Sequence, residues 1–521
     1  MNTRVRLCLK VVVCLLVSGE IHEGLAAGVT LVTHGFNGNV TDWVIPMCNK
    51  MAQYRSFPGT NVSIYQVSVT QPSPGVYTVS QSFLDGVSPP ASDSGEILLA
   101  LDWSTLSSGG TPTTTIASVT AGALLNPSFM PDMNGHALAE LPLHLVGHSR
   151  GGSVITELAR YLGAQGVWVD QVTTLDPHPV SQLGDPPITN YANILFADNY
   201  WQNLGDGLLV PNGQPVTGAY NRHLLNLNGG YSSSHSDVHL WYHGTIQLTT
   251  PASDTQATIT SAERTNWWTG LNLEQTGTNA GFLYALIGGG NRFSTLEAAG
   301  TGLGRIVDGM NKVWDLGAGV SPNRSRLPID NGTWPNLLRL NLTSTNVLPV
   351  GSQLSAAFYY QFGSSGANTA QLQLYLDADS NPYGANQLLI GSTTLSGTGT
   401  NNVNLTAAFP TPNPSITPPG TYFLFARLTS GTLTRYLYAP QRVTLTPSRQ
   451  APVLLSAHAT NDVFQFTVSG YPGQTIVIQA SQNLTQWTSI RTNTMSGTTW
   501  FVVDPASVTL PRRYYRAVLM P

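Results

Sequence analysis

The pattern that decides the fold lies in residues 143–152, Leu-His-Leu-Val-Gly-His-Ser-Arg-Gly-Gly. An apolar run with strand character leads into a Gly-x-Ser-x-Gly pattern at 147–151, and helix-forming residues follow. A serine nucleophile must stand clear of its sheet on a sharp strand-to-helix turn, which leaves room only for small neighbours two positions away. Gly147 and Gly151 meet that requirement. The pattern therefore predicts Ser149 as a nucleophile, with the following helix directing its amino terminus at the reaction centre.

A second glycine-containing segment, residues 33–38 (Thr-His-Gly-Phe-Asn-Gly), directly follows the first predicted strand. Acyl transfer requires two N–H donors aimed at the oxygen that becomes negatively charged in the transition state. One donor is expected from Arg150, the residue after the nucleophile, and the other from the loop after an early strand, where Phe36 is best placed. His34 is expected to brace that loop. The sequence therefore predicts an oxyanion hole formed by the N–H groups of Phe36 and Arg150.

Four features occur in the chain order of a known family: His34-Gly35-Phe36, Leu101-Asp102-Trp103, the glycine-rich turn at 147–152 and Leu175-Asp176-Pro177. With these features, the chain resembles the pancreatic-lipase-type branch of the α/β-hydrolases and their bacterial relatives. The resemblance covers roughly residues 28–247. It implies an α/β-hydrolase fold, and it implies that Asp176 is the acid of the catalytic triad. Members of that family are often rich in disulfides, and this chain departs from them with only three cysteines.

The position of Asp176 also suits an acid that orients a catalytic histidine. It directly follows the predicted strand 167–175, where its carboxylate can hold an imidazole and stabilise the imidazolium. Asp198 is the alternative, because many hydrolases place the acid one strand later. Asp206, in the next loop, is a further competitor. We favour Asp176.

The catalytic histidine is expected after the acid in chain order. Residues 234–243 contain His235, His239 and His243, and apolar residues at helical spacing predict a helix here. His235 stands at its start and is the predicted base, in agreement with the resemblance, whereas His239 is the alternative. Histidines four residues apart can also bind zinc, but the Glu that follows the first histidine in zinc peptidases is absent. We therefore expect no metal.

Two patterns of apolar residues divide the chain. Short strands first alternate with helical stretches, which predicts a mostly parallel sheet with helices on both faces. From about Trp334, alternating strands separated by Gly, Pro and Asn predict a β-sandwich, and a second β module starts after Pro447. The segment 250–335 is assigned to the catalytic part. We therefore predict an α/β-hydrolase followed by all-β modules, divided as a signal peptide (1–27), a catalytic domain (28–335), a β-sandwich (336–447) and a small β module (448–521).

The amino terminus and the composition predict an exported protein. Basic residues precede the apolar run Val11–Val17, and the small residues Gly24, Ala26 and Ala27 offer a cleavage site, which is the pattern of a secretory signal peptide. Only Cys48 would remain in the mature chain, so no internal disulfide is expected. Charged residues make up 10% of the chain and the net charge is −4, which argues against a nucleic-acid partner.

Together these residues predict the hydrolysis of a carboxylic ester through an acyl-enzyme, without a cofactor. The expected substrate is a small-molecule or lipid ester, and the C-terminal β modules are candidates to bind a surface or a polymer. Two alternatives stay open: an exported binding or adhesion protein on a hydrolase scaffold, and a serine hydrolase of amide, thioester or phospholipid acyl bonds. The long connection 199–234 is either a lid over the site or an irregular packing loop.

Overall fold

The computed structural model describes the greater part of the chain in fifteen stretches. They are residues 28–53, 61–86, 94–191, 193–207, 210–246, 254–267, 281–284, 334–362, 368–379, 381–385, 387–397, 399–408, 419–439, 442–448 and 450–520. The predicted signal peptide and most of the segment 250–335 lie outside these residues. No helix in the described stretches is long and apolar enough to cross a membrane.

A mostly parallel sheet forms the first part of the molecule. Within the described residues it has eight strands, β1 (Gly28–Thr33), β2 (Asn61–Ser73), β3 (Val76–Gly86), β4 (Ser94–Asp102), β5 (Leu143–His148), β6 (Val169–Leu175), β7 (Ile194–Trp201) and β8 (Tyr220–His223). Their spatial order is β3-β2-β4-β1-β5-β6-β7-β8. Neighbours are parallel except β2 and β3, which form an antiparallel hairpin at one edge. The predicted parallel sheet is thus present, with β3 and β8 as unpredicted additions.

Helices cover both faces of this sheet. They are α1 (Val44–Gln53), α2 (Ser104–Ser107), α3 (Thr113–Leu125), α4 (Arg150–Ala164), α5 (Ser234–Ile246) and α6 (Ser261–Trp267). One apolar cluster joins α3 and α4 to strand residues such as Leu31 and Leu145. The other joins α1 and α5 to Val32 and Val146 on the opposite face. Because successive side chains of a strand point to opposite faces, a sheet covered on both sides requires the continuous apolar runs seen in β1 and β5.

The chain beyond residue 334 is built from β-strands, as predicted. The sandwich strands are β9 (Asn336–Leu342), β10 (Val347–Pro349), β11 (Gln353–Phe362), β12 (Asn368–Asp377), β13 (Leu388–Gly397), β14 (Gly399–Ala408), β15 (Gly420–Ser430), β16 (Leu433–Tyr438) and β17 (Val443–Thr446). In the described residues they form one sheet of order β10-β17-β15-β12-β13, with β16 paired to β15, and a second of order β14-β11-β9. A shared apolar cluster lies between them.

A smaller β module follows with its own apolar cluster. Its strands are β18 (Val453–Thr460), β19 (Val463–Ser469), β20 (Thr475–Ser481), β21 (Thr488–Thr494), β22 (Thr499–Asp504) and β23 (Tyr514–Leu519). The described strands pair as β18-β19-β22 and β21-β20-β23. The domain boundaries stay a prediction.

The sandwich packs against the first sheet at the end where β5 and β6 begin. Aromatic side chains of the sandwich, including Phe425 and Tyr436, belong to the same apolar cluster as α3 and α4. The buried guanidinium of Arg435 donates to the carbonyl oxygens of Ala139 at 2.6 Å and Leu141 at 2.9 Å. These contacts lie at the amino ends of the parallel strands.

Candidate active site

The predicted site residues meet at the opposite edge of the first sheet, where parallel strands end. Strands β1, β5, β6 and β7 are neighbours in that order. The oxyanion loop at 34–36 follows β1, Ser149 follows β5, Asp176 follows β6 and Gln202 follows β7. In open α/β sheets the carboxyl ends of the strands form the crevice in which ligands bind. The topology therefore brings side chains from four separate chain segments to one place.

Ser149 stands on a sharp turn between β5 and α4. Its backbone angles are φ 56° and ψ −124°, a conformation that costs a non-glycine residue free energy and is typical of functional sites. Gly147 and Gly151 permit this turn, because a Cβ atom at Gly147 would lie 2.4 Å from the carbonyl oxygen of Gly151. A Cβ atom at Gly151 would lie 2.4 Å from the carbonyl oxygen of His34. The two glycines that predicted the nucleophile are thus required by backbone contacts.

The loop after β1 packs directly on this turn. A Cβ atom at Gly35 would lie 2.6 Å from Cβ of Ser149 and 3.1 Å from the backbone nitrogen of Arg150. His34 is buried and stacks on Trp103, with ring centroids 5.5 Å apart. Its Nε2 accepts from the backbone N–H of Trp103 at 3.3 Å, which leaves Nδ1–H to donate to the carbonyl of Gly35 at 3.0 Å. His34 therefore fixes the segment that carries Phe36 beside Ser149.

Asp176 and His235 are joined by a short hydrogen bond. Nδ1 of His235 lies 2.5 Å from Oδ2 of Asp176, and both side chains are buried. Gln202 holds the other side of the carboxylate, donating to Oδ1 from its backbone nitrogen at 2.8 Å and to Oδ2 from Nε2 at 2.7 Å. His235 lies in the first turn of α5, one residue inside the helix rather than just before it. The acid therefore has a fixed orientation toward the imidazole.

Burial controls the protonation of this pair. It lowers the pKa of His235, with a smaller contribution from the charge of His178, so the imidazole is neutral at pH 7. Burial also raises the pKa of Asp176, whereas the two N–H donors of Gln202 act in the opposite direction by stabilising the carboxylate. With Nδ1–H directed at Asp176, the neutral imidazole keeps Nε2 as its proton acceptor. This is the tautomer that a general base needs.

The alternative acid and base lie elsewhere. Asp198 is a buried residue of β7, and its carboxylate accepts from the hydroxyls of Thr173 at 2.5 Å and Tyr200 at 2.9 Å. His239 lies one turn further along α5 and stacks on Trp43, with ring centroids 4.3 Å apart. Among the described contacts, Asp176 and His235 face each other, and Asp198 and His239 do not.

Two further residues support the site and were not singled out from the sequence. His148, next to Ser149, donates from Nε2 to the carbonyl oxygen of His235 at 2.9 Å, so the turn at Ser149 is connected to the start of α5. Asp185 accepts from the buried side chain of Arg150, with Nε–Oδ2 at 2.6 Å and Nη2–Oδ1 at 2.9 Å. Neither contact has a sequence signature, because each joins residues far apart in the chain.

The connection between β7 and α5 is tethered in the residues described. Oε1 of Gln202 accepts from the N–H of Leu204 at 2.6 Å and from the hydroxyl of Ser234 at 3.1 Å. Asn212 accepts from the N–H of Gly205 at 2.8 Å. The loop thus wraps the acid and reaches the residue before His235, which favours the packing interpretation over a lid. In the described part of the chain, no three His, Cys, Asp or Glu side chains form a metal-binding group.

Comparison with known proteins yields distant likenesses. No protein-family model matches the chain, and no curated protein matches it. Among solved structures, a "putative cell surface hydrolase" from Lactobacillus plantarum is 12% identical, over 43% of this chain and 91% of its own, with a TM-score of 0.27. A CARDB domain from Pyrococcus furiosus in complex with di-metal ions is 13% identical, over 23% and 95%, with a TM-score of 0.15. At these TM-scores neither likeness carries an argument about function.

Proposed function

We propose that this protein is a secreted serine hydrolase of the α/β-hydrolase type that cleaves carboxylic esters. The proposal rests on one observation: a buried His235–Asp176 pair, 2.5 Å apart, is hydrogen-bonded through the His235 carbonyl to His148, and the next residue, Ser149, is held at φ 56° on a strand-to-helix turn. Ser149, His235 and Asp176 would form the triad. Export rests on the signal-peptide pattern of residues 1–27, which are outside the described structure.

The proposed reaction proceeds through an acyl-enzyme. Oγ of Ser149 attacks the carbonyl carbon of the ester while Nε2 of His235 takes the hydroxyl proton, and Asp176 stabilises the resulting imidazolium. The N–H groups of Phe36 and Arg150 donate to the oxyanion of the tetrahedral intermediate. Collapse of the intermediate breaks the ester C–O bond, and His235 returns its proton to the leaving alcohol. Water then repeats the attack, which releases the acid and restores Ser149.

The surface beside the nucleophile supports an acyl group with apolar character. The side chain of Phe36 is 50% exposed, although its neighbour Gly35 packs against Ser149. An exposed aromatic ring close to the proposed nucleophile offers apolar contact to a hydrocarbon chain. The proposed substrates are therefore small-molecule or lipid esters. Amide, thioester and phospholipid acyl bonds remain the enzymatic alternatives, since the same groups can cleave them.

A covalent serine-hydrolase probe tests the proposal directly. A fluorophosphonate should label the purified protein at Ser149, and the Ser149→Ala variant should show no labelling and a loss of esterase activity of several orders of magnitude. Circular dichroism should show that the variant is folded. A panel of esters of graded acyl length, compared with matched amides and thioesters, then identifies the bond and the chain length preferred.

The rival hypothesis is a binding or adhesion protein on a hydrolase scaffold. It predicts no labelling of the folded wild-type protein and no hydrolysis of any member of the panel. Labelling that persists in Ser149→Ala would instead place the nucleophile at another residue. Either result would contradict the proposed triad.

A further inference from the structure

A loop of the β-sandwich carries acidic and amide side chains at alternate positions. It starts at Asp377, the last residue of β12, and includes Asp379, Asn381 and Tyr383. Oδ1 of Asp377 accepts from the N–H of Asp379 at 3.2 Å, and Oδ1 of Asp379 accepts from the N–H of Asn381 at 2.9 Å. Oδ1 of Asn381 in turn accepts from the N–H of Tyr383 at 3.0 Å. Each of these three side chains therefore accepts from the backbone N–H two residues further along the chain.

The first carboxylate of this loop has an oxygen without a partner. Asp377 is 1% exposed, and its Oδ2 makes no hydrogen bond among the described residues. The described ion pairs do not include Asp377. A buried carboxylate beside a second one, with one oxygen unsatisfied, lacks the positive charge that such a group requires.

The same surroundings contain a second unsatisfied oxygen. The hydroxyl of Tyr438, on β16, is buried without a hydrogen-bond partner in the described part of the chain. The ring of Tyr438 packs edge-on against that of Phe423, with centroids 6.2 Å apart, and Phe423 is the register partner of Asp377 on the neighbouring strand. The carboxylates of Asp377 and Asp379, the amide oxygen of Asn381 and the hydroxyl of Tyr438 are all oxygen donors. Oxygen-only donor sets with carboxylates, an amide and a backbone carbonyl are those that Ca²⁺ takes.

We infer that the loop 377–383 is a calcium site. Asp377, Asp379 and the amide of Asn381 would bind the ion, with the carbonyl oxygen of Tyr383 as a further ligand. The spacing equals positions 1, 3, 5 and 7 of an EF-hand loop. Mg²⁺ fits less well, because it demands a near-ideal octahedron and gives up its water reluctantly.

The loop departs from an EF-hand at two positions that affect affinity. Pro382 stands where the glycine of the sharp turn would be, and Leu388, which opens β13, stands where the bidentate Glu would be. With two carboxylates and no bidentate Glu, we expect a dissociation constant of about 0.1–1 mM, the class of extracellular modules.

Calcium in this loop would strengthen the junction with the catalytic part. Tyr383 stacks on His136, with ring centroids 4.1 Å apart, and its hydroxyl donates to Oε2 of Glu140 at 3.4 Å. Both residues precede β5, at the sheet edge opposite the active site. Fixing the loop should therefore raise the stability of the whole molecule without changing the geometry around Ser149.

The test compares thermal unfolding of the full chain with and without calcium, after dialysis against EDTA. At about 10 mM CaCl₂, some tenfold or more above the expected dissociation constant, the melting temperature should rise by about 2 °C or more. Equal ionic strength supplied as NaCl should give no such rise, and MgCl₂ a smaller one. Calorimetric titration should give one ion per chain.

Two variants locate the effect. Asp377→Asn and Asp379→Asn should both abolish the calcium response and the calorimetric binding. Asp462→Asn is the control. It removes one exposed carboxylate from a turn of the last β module, where Asp462 has φ 63°, and it should keep the wild-type response. Should Asp377→Asn fail to fold, Asp379→Asn carries the comparison, because Asp379 is only half-buried.

Three outcomes would overturn the inference. The first is a wild-type melting temperature that responds to CaCl₂ no more than to NaCl. The second is a calcium response that persists in Asp379→Asn, and the third is an equal response to MgCl₂. A melting temperature that does not respond to calcium would mean that Asp377 is protonated in solution or pairs with Arg442. The guanidinium of Arg442 lies 4.1 Å from the ring centroid of Phe423, and Phe423 is the register partner of Asp377.

Discussion

At the residue scale, the site depends on two non-glycine residues held at positive φ. Ser149 has φ 56° and Asp176 has φ 45°. Conformations of this kind cost about 1–3 kcal/mol each and persist where neighbours enforce them. The N–H of Ser149 donates to the carbonyl of Leu175 at 2.9 Å, and the N–H of Asp176 donates to that of Tyr200 at 2.7 Å. Each strained residue is therefore anchored to the next strand of the sheet.

The two candidate acids make the first residue-scale prediction. Asp176→Asn should lower kcat by about four orders of magnitude, because an amide in place of the carboxylate holds the imidazole in the wrong tautomer. Asp198→Asn is the matched control: its carboxylate accepts from hydroxyls and does not face His235, so kcat should change by less than about tenfold. Steady-state kinetics on a soluble ester measure both. A larger loss of kcat in Asp198→Asn would assign the acid to β7.

Some of these residues can be found from the sequence and others cannot, for a physical reason. Glycines at 147 and 151 are local requirements of a tight turn, so the pattern around Ser149 points to its role. The support from Gln202 cannot be found this way, because it depends on where β7 ends relative to β6. Aspartate and glutamine at strand ends are common, and only the spatial order of the strands selects among them.

At the element scale, strands and helices with strong apolar patterns lie where the sequence predicts them. The sequence pattern predicts a helix over Thr113–Leu125 and a strand over Gly28–Thr33, and the structure has both elements with these bounds. Alternating apolar residues predict one strand over Arg435–Val443, but in the described residues this segment divides between β16 and β17. Strand β3 was not predicted, since an edge strand pairs through its backbone and its side chains are half-buried or exposed. Alternation in sequence is weak wherever neither face is buried.

Helix α5 provides the element-scale prediction, because it buries histidines beyond the one proposed as the base. His243 is 1% exposed, and neither ring nitrogen has a hydrogen-bond partner among the described residues. Burial lowers its pKa from 6.5 to about 4, with a smaller effect of Lys50. Between these pH values the unfolded chain binds a proton here and the folded chain does not, so stability falls as the pH falls from 6.5 toward 4.

Replacing this histidine should therefore protect the protein against acid. The difference in unfolding free energy between His243→Leu and the wild type should be more favourable to the variant at pH 5 than at pH 7, by about 2 kcal/mol. Urea unfolding at pH 5 and pH 7 measures the difference. His458→Leu, an exposed position on β18, controls for the loss of an imidazole. An equal change in stability at both pH values for His243→Leu would contradict the mechanism.

At the scale of the whole molecule, the two ends of the parallel sheet have separate tasks. The proposed triad lies at the carboxyl ends of the strands, and the sandwich packs at the amino ends of β5 and β6. The junction could not be foreseen, because Arg435 and Ala139 are 296 residues apart and no local pattern links them. The predicted domain boundary at residue 335 suggests two domains that fold independently. The shared apolar cluster instead predicts that the catalytic part alone would expose a large apolar surface.

Arg435 tests this arrangement in the intact chain. Its guanidinium is buried and donates to three carbonyl oxygens, those of Ala139, Leu141 and Trp168, and it lies 3.5 Å from Oδ2 of Asp170. Arg435→Met keeps the apolar stem but leaves these acceptors without their donor. Breaking such a buried network should cost about 3–5 kcal/mol of unfolding free energy, whereas kcat on a small soluble ester should stay unchanged.

The control for this change is Arg427→Met on the neighbouring strand β15. Arg427 is half-buried and donates to Gln373 within the sandwich, so its loss should cost less than about 1.5 kcal/mol. Urea unfolding and kcat are measured for both variants at a temperature where each is folded. A fall in kcat for folded Arg435→Met would mean that the sandwich acts on the site through the sheet. An unfolding free energy equal to that of Arg427→Met would mean that the junction contributes little to stability.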